Sequence, residues 1–175
     1  MKATGVVRRI DELGRIVIPK EIRKNMTIKP CENLEIYTID NETIALKKYS
    51  TLSRFSEMGN VLINTLYQTI NKEVLLIDTS NIINYRGKRK DIFLNKKISD
   101  DINKLLNERT RIIENKQLDI IITDSVVNTS YLIEPLIING DLVGGIIILS
   151  DTKFDNKELE LTSYTIKILN NYIEQ

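Results

Sequence analysis

The chain has 175 residues, with 25 Lys plus Arg against 24 Asp plus Glu, one cysteine and no histidine. That composition excludes intrachain disulfides, the usual His/Cys zinc sites and histidine-dependent chemistry such as haem ligation. The near-neutral total hides a gradient: residues 1–29 carry eight Lys/Arg and three Asp/Glu, and the remainder carries 17 and 21. A basic head on a mildly acidic body points to a polyanionic partner for the head alone.

Strand-like alternation begins at Val6, where a signal peptide would still be apolar, and no apolar run reaches the ~20 residues of a membrane span. The expected setting is cytoplasmic, with no membrane partner. Residues 5–10 and 15–18 read as a strand pair turned at Gly14, with Ile16 and Ile18 facing a core and Arg15 and Val17 facing away. Pro19 suits the first position of a helix over 20–26, on which Lys20, Arg23 and Lys24 share a face. Residues 34–39 and 43–48 read as a second strand pair turned at Asp40-Asn41. A head of 49 residues with four short strands buries little apolar area and needs a staple, a metal or a partner. With no disulfide or metal to hand, oligomerisation remains.

Leu52, Phe55, Gly59, Leu62 and Leu66 follow at three- and four-residue steps, predicting a helix over 50–69. It is either a linker carrying a coiled-coil seam or an amphipathic helix packed on its own domain. Strands are expected at 73–78 and 81–86, then a basic loop, Arg86-Gly87-Lys88-Arg89-Lys90, which lacks interleaved aromatics and reads as solvated. Ser99 caps a helix through Ile102, Leu105 and Leu106, with Asp100 and Asp101 favourable in its first turn. Strands follow at 118–123, 131–138 and 142–149, the last two joined by Asn139-Gly140, a two-residue hairpin signal. Gly144-Gly145 falls inside a strand, where close packing or a bulge suits it better than a phosphate loop. A final helix over 156–174 carries two apolar stripes, Leu159, Thr162, Ile166, Leu169 and Ile173 beside Leu161, Thr165, Ile168 and Tyr172. One stripe can cover a sheet and the other a partner, and the second part is α+β.

The run MKATGVVRRIDELGRIVIPKEIR at residues 1–23, continued by LEIY at 34–37 and LKKY at 46–49, resembles the AbrB family of swapped-hairpin DNA-binding proteins. The length and the order of elements after Tyr49 are similar to the stage V sporulation protein T type, in which a GAF domain follows the hairpins. The resemblance implies a swapped-hairpin domain at 1–50, interleaved in a dimer. It implies a linker and dimerisation helix at 51–70, and a GAF-like regulatory and dimerisation domain at 71–175 with an antiparallel sheet flanked by helices. Two positions depart from the family pattern. Cys31 stands in the 29–33 turn where a glycine is usual, and Lys24 where an arginine is common, which removes a planar fork.

The implied function is a sequence-preferring, non-enzymatic DNA-binding regulator of sporulation (forespore) genes, nucleoid-associated, acting as a homodimer or a tetramer of paired dimers. Double-stranded DNA is the expected partner of Arg8, Arg9, Arg15, Arg23 and Lys24, with Lys20 and Lys2 as outer contacts. Solvated surface charge is the bland alternative, and the spacing of Arg8, Arg15 and Arg23 shared with the family favours DNA. Asp11, Glu12 and Glu21 sit among these cations to orient or neutralise them. No metal or cofactor is implied beyond an unidentified small-molecule ligand of the GAF-like domain. Tyr85, Phe93, Tyr131 and Glu134 are candidates to line its pocket, each equally readable as core or surface. The rival reading is an antitoxin, since some antitoxins share the N-terminal fold, although their tails are short and acidic or disordered, unlike the regular periodicity of 50–175.

Overall fold

The computed structural model describes residues 5–26, 28, 30, 33–50, 52, 55–121 and 126–175, with only the backbone of residues 117 and 126–129. The chain divides into two units, Met1–Tyr49 and Ser50–Gln175.

In the first unit, α1 (Lys20–Asn25) precedes β1 (Leu34–Thr38) and β2 (Ile44–Lys48), which pair antiparallel from Leu34 opposite Lys48 to Thr38 opposite Ile44. The Asp40 side chain closes their turn by accepting from the Glu42 N–H at 2.9 Å. Pro19 stands one position earlier than expected, as the N-cap of α1 with φ −57° and ψ 147°, and its carbonyl accepts from the Arg23 N–H. The expected first strand pair is not formed within one copy. Among the described residues, 5–18 are joined by a single turn, with Gly14 N–H to Asp11 O at 2.9 Å and Asp11 N–H to Arg15 O at 3.0 Å. The alternation is there, but a strand exists only as half of a ladder, and the described residues of one copy supply no second strand alongside it. Pro19 is the one buried residue described in this unit. Lys2 and the turn at Lys29, Cys31 and Glu32 lie outside the described residues.

The second unit is built on a five-stranded sheet of β3 (Glu73–Asp78), β4 (Ile82–Arg86), β5 (Ile112–Asp119), β6 (Val126–Ile138) and β7 (Asp141–Ser150). The order is β4-β3-β7-β6-β5, and every neighbouring pair is antiparallel. Its helices are α2 (Ser56–Ile70), α3 (Lys90–Phe93), α4 (Asp100–Asn107) and α5 (Asn156–Ile173). The Ile- and Leu-rich central strands bury side chains on both faces. On one face Leu75, Ile77, Tyr131, Ile133, Ile147 and Leu149 pack with Ile102 and Leu106 of α4. On the other, Val74, Leu76, Leu132, Ile146 and Ile148 pack with Ile63, Leu66 and Ile70 of α2 and with Ile166 and Leu169 of α5.

Local chemistry places these elements. Ser99 caps α4 by accepting from the Ile102 N–H, and Asp155 with Glu158 forms a capping box at the start of α5. Asn139 and Gly140, at φ 50° and 85°, make the expected hairpin turn. Gly144 and Gly145 are packing glycines, since a Cβ on Gly144 would stand 2.0 Å from the Ile77 carbonyl oxygen and one on Gly145 2.6 Å from that of Glu134. A Cβ on Gly59 would meet Leu76 at 2.5 Å, so α2 lies close on its own sheet.

Two expectations are corrected. The strand placed at 118–123 runs from Ile112 to Asp119, because β5 is an edge strand whose middle, Glu114, Asn115 and Lys116, is polar, which masks its apolar pattern. The basic loop ends in α3, which begins at Lys90 and whose Phe93 is fully buried.

Candidate nucleic-acid interface

Arg8, Arg9, Arg15, Lys20, Arg23 and Lys24 are all exposed on the first unit. Arg8 and Arg9 precede the Asp11–Arg15 turn and Arg15 closes it. Lys20 opens α1, and Arg23 and Lys24 lie in its last turn, where the carbonyl end of the helix favours cations. Their spacing shares one face of that helix.

Arg15 is the cation whose position is most defined. The Asp11 carboxylate accepts from the Leu13 N–H at 3.1 Å, the Arg15 N–H at 2.8 Å and the Arg15 Nε at 2.8 Å. Gly14, at φ 75°, adopts the left-handed conformation that lets this turn close. The backbone N–H and then the guanidinium of Arg15 hold the Asp11 carboxyl below its ordinary pKa. The Arg15 side chain stays 72% exposed. The acid within this basic surface therefore orders a cation and leaves it facing solvent. The motif Asp-x-x-Gly-Arg was the available signal: an acceptor four residues before a cation, with a glycine between them.

The same unit exposes an unusual amount of apolar surface, including Val7 (87%), Leu13 (75%), Val17 (72%), Ile10, Ile36 and Ile44. One copy thus presents cations and uncovered aliphatic side chains together.

The other basic segment differs. Arg86 donates from Nε to Asn64 at 3.0 Å and from Nη2 to Asn60 at 2.5 Å. Arg89 pairs with Glu73, and its backbone N–H donates to the Tyr85 hydroxyl at 2.8 Å. Both arginines are thus committed to their own unit. Of the four residues considered for a ligand pocket, Tyr85, Phe93 and Tyr131 come together in the core against α4, with Tyr85 and Phe93 ring centroids 5.5 Å apart. Glu134 is not with them. It pairs with Arg111, which also donates to the Leu159 carbonyl of α5. Burial pushes the Tyr85 phenol up to about 12.

Residues 52–174 match the family described as stage V sporulation protein T C-terminal, transcription factor. Over 152 residues, 86% of this chain and 85% of the relative, the sequence is 36% identical to stage V sporulation protein T of Bacillus subtilis (strain 168). The chain belongs to the stage V sporulation protein T family of transcription factors. Its head is 57% identical over 49 residues, 28% of this chain and 50% of the relative, to the transition state regulatory protein AbrB of the same strain. Residues 7–53 also match the family described as antidote-toxin recognition MazE, bacterial antitoxin. The second unit shares its fold with the GAF domain/HD domain protein from Geobacter sulfurreducens, at 13% identity and a TM-score of 0.54, covering 72% of this chain and 93% of that one. This member of the stage V sporulation protein T family therefore joins an AbrB-like head to a GAF-like body with an antiparallel sheet and flanking helices. No helix among the described residues is long and apolar enough to cross a membrane.

Proposed function

We propose that this protein is a sequence-preferring, non-enzymatic transcription regulator of sporulation genes in the forespore, nucleoid-associated in the cytoplasm. Its head docks double-stranded DNA through Arg8, Arg9, Arg15, Lys20, Arg23 and Lys24. The observation that carries this reading is the Asp11–Arg15 turn, which holds one guanidinium outward on a surface of exposed cations. Arginine and lysine neutralise phosphates and release counterions, and an arginine held end-on can also fork onto guanine.

The docking form is a homodimer whose hairpins interleave. The exposed Val7, Leu13, Ile16 and Val17, in a segment that forms no ladder among the described residues of one copy, support that assembly. The GAF-like body self-associates through α5 and α2, within the dimer or between dimers, and senses a small molecule. The antitoxin reading is favoured only by the match of residues 7–53, while 52–174 match a transcription-factor family.

A genome-wide occupancy map of the tagged protein in sporulating cells, with affinity for the recovered sequences measured against random duplex, tests the proposal. Enrichment upstream of sporulation genes and tighter binding to the recovered sequences are expected. Equal affinity for both at moderate salt removes the sequence preference, and no occupancy removes the proposal.

A further inference from the structure

We propose that Asp11 is a positioning residue for DNA: by presetting Arg15, an acidic side chain on the docking face raises affinity for a polyanion. The inference rests on the reading that Arg15 contacts DNA, and it concerns how that contact is made ready.

Coulomb's law alone gives the opposite expectation. An exposed carboxylate beside a phosphate-binding arginine repels the phosphate and competes for the cation. The geometry favours the other effect. One carboxylate oxygen of Asp11 accepts from the backbone N–H groups of Leu13 and Arg15, at 3.1 and 2.8 Å. The other accepts from Arg15 Nε at 2.8 Å. The turn beneath is closed by Gly14 N–H to Asp11 O and Asp11 N–H to Arg15 O. The carboxylate is thus fixed by its own backbone, and it fixes the guanidinium by the donor nearest the chain.

A guanidinium has five N–H donors in a rigid plane. Holding it at Nε leaves the four N–H groups of the two terminal nitrogens without a partner among the described residues, and two of these make up the end-on edge of the guanidinium. That is the edge that forks onto a phosphate or a guanine. An arginine otherwise carries large rotamer freedom, which binding must remove. Here the clasp removes it before DNA arrives, although the side chain remains 72% exposed. Hydrogen bonds from Arg15, backbone first and then guanidinium, hold the Asp11 carboxyl below its ordinary pKa.

Asp11→Asn separates the two effects. The amide oxygen still accepts from the Leu13 and Arg15 N–H groups, so the turn is kept. The amide nitrogen cannot accept from Nε, so the guanidinium is freed. Using the full chain, affinity for an AT-rich duplex is measured by fluorescence anisotropy for wild type, Asp11→Asn, Arg15→Ala and the double variant, with Glu12→Gln as the control for removing a nearby acid. Thermal melts accompany each variant. The expected result is that Asp11→Asn weakens binding by about 2- to 10-fold per copy, the equivalent of immobilising one long side chain. In the Arg15→Ala background it should cause no further loss, and Glu12→Gln should bind as wild type or tighter.

Binding by Asp11→Asn at wild-type strength or tighter, with Arg15→Ala still weak, overturns the inference and leaves the DNA reading standing. An equal loss from Asp11→Asn in both backgrounds also overturns it, because that is the signature of a turn that serves only the fold. Wild-type binding by Arg15→Ala overturns the inference together with Arg15's place on the docking face.

Discussion

Ile16→Asp in the fragment 1–49 measures how far the head depends on a second copy. Ile16 is 54% exposed in one copy. If the fragment works as a monomer, the substitution changes stability by no more than about 0.5 kcal/mol, as at other exposed sites. If a partner covers Ile16, about half of the ~2–3 kcal/mol for burying an isoleucine is lost. Burying an unpaired carboxylate adds at least ~1 kcal/mol more. Two copies double the effect to about 4–5 kcal/mol, a dimer constant weaker by roughly a thousandfold. Sedimentation and thermal melts over a hundredfold concentration range read it. Wild type should be dimeric, with a melting temperature that falls on dilution, and Ile16→Asp should be unfolded at micromolar concentration. A monomeric wild-type fragment with a concentration-independent melt refutes the interleaved assembly.

Gly144→Ala should destabilise the second unit by ~3 kcal/mol in denaturant melts, because the new Cβ meets the Ile77 carbonyl, which is backbone and cannot swing aside. A loss below 1 kcal/mol would mean that the sheet relaxes there at little cost. Tyr85, pushed up to about 12, and Tyr131, also raised by burial and then by Glu114, are held protonated by folding. Their contribution to stability is therefore full below the ordinary tyrosine value of 10 and is lost above it, that of Tyr85 as pH rises through about 12. In an ultraviolet titration of the seven tyrosines, these two should ionise only as the protein unfolds, and ionisation near pH 10 in the folded state would contradict their burial. Of the second stripe expected on α5, Thr165 is buried and Leu161 packs on the core, which leaves Ile168 and Tyr172 exposed at 51 and 42%, with Tyr164 beside them at 58%. Residues 51–175 should self-associate through these side chains and Ile168→Asp should weaken that association, whereas a wild-type monomer at high concentration would sink the idea.

The central strands were legible because burial on both faces writes itself as continuous Ile and Leu, and the caps at Ser99 and the turn at Asn139-Gly140 because each has a local chemical cause. β5 is displaced in the sequence reading because Glu114, Asn115 and Lys116 interrupt the apolar pattern of an edge strand. α3 was missed because four residues are too few to show helical periodicity. Ile63 and Ile70, both buried against the sheet, were passed over for Leu62, since the close approach at Gly59 sets which face of α2 turns inward. The alternation of residues 5–18 predicts a strand pair that one copy does not form, because a ladder partner is not a property of local sequence. At the interface, the cations were visible from spacing and resemblance. The three bonds to Asp11 were not, since a carboxylate among cations reads the same whether it orders an arginine or merely offsets it.

Salt-dependent DNA binding of the full chain, for Arg8→Ala, Arg15→Ala and Arg23→Ala, tests the docking surface most directly. Each variant should melt like wild type, because all three side chains are exposed. Each lost phosphate contact should flatten the log–log salt slope by about 0.9, and by roughly twice that when a dimer loses two. An arginine that reads guanine should instead lose about 1–3 kcal/mol on one sequence and little on others. Wild-type affinity and slope in all three variants would contradict the docking surface outright.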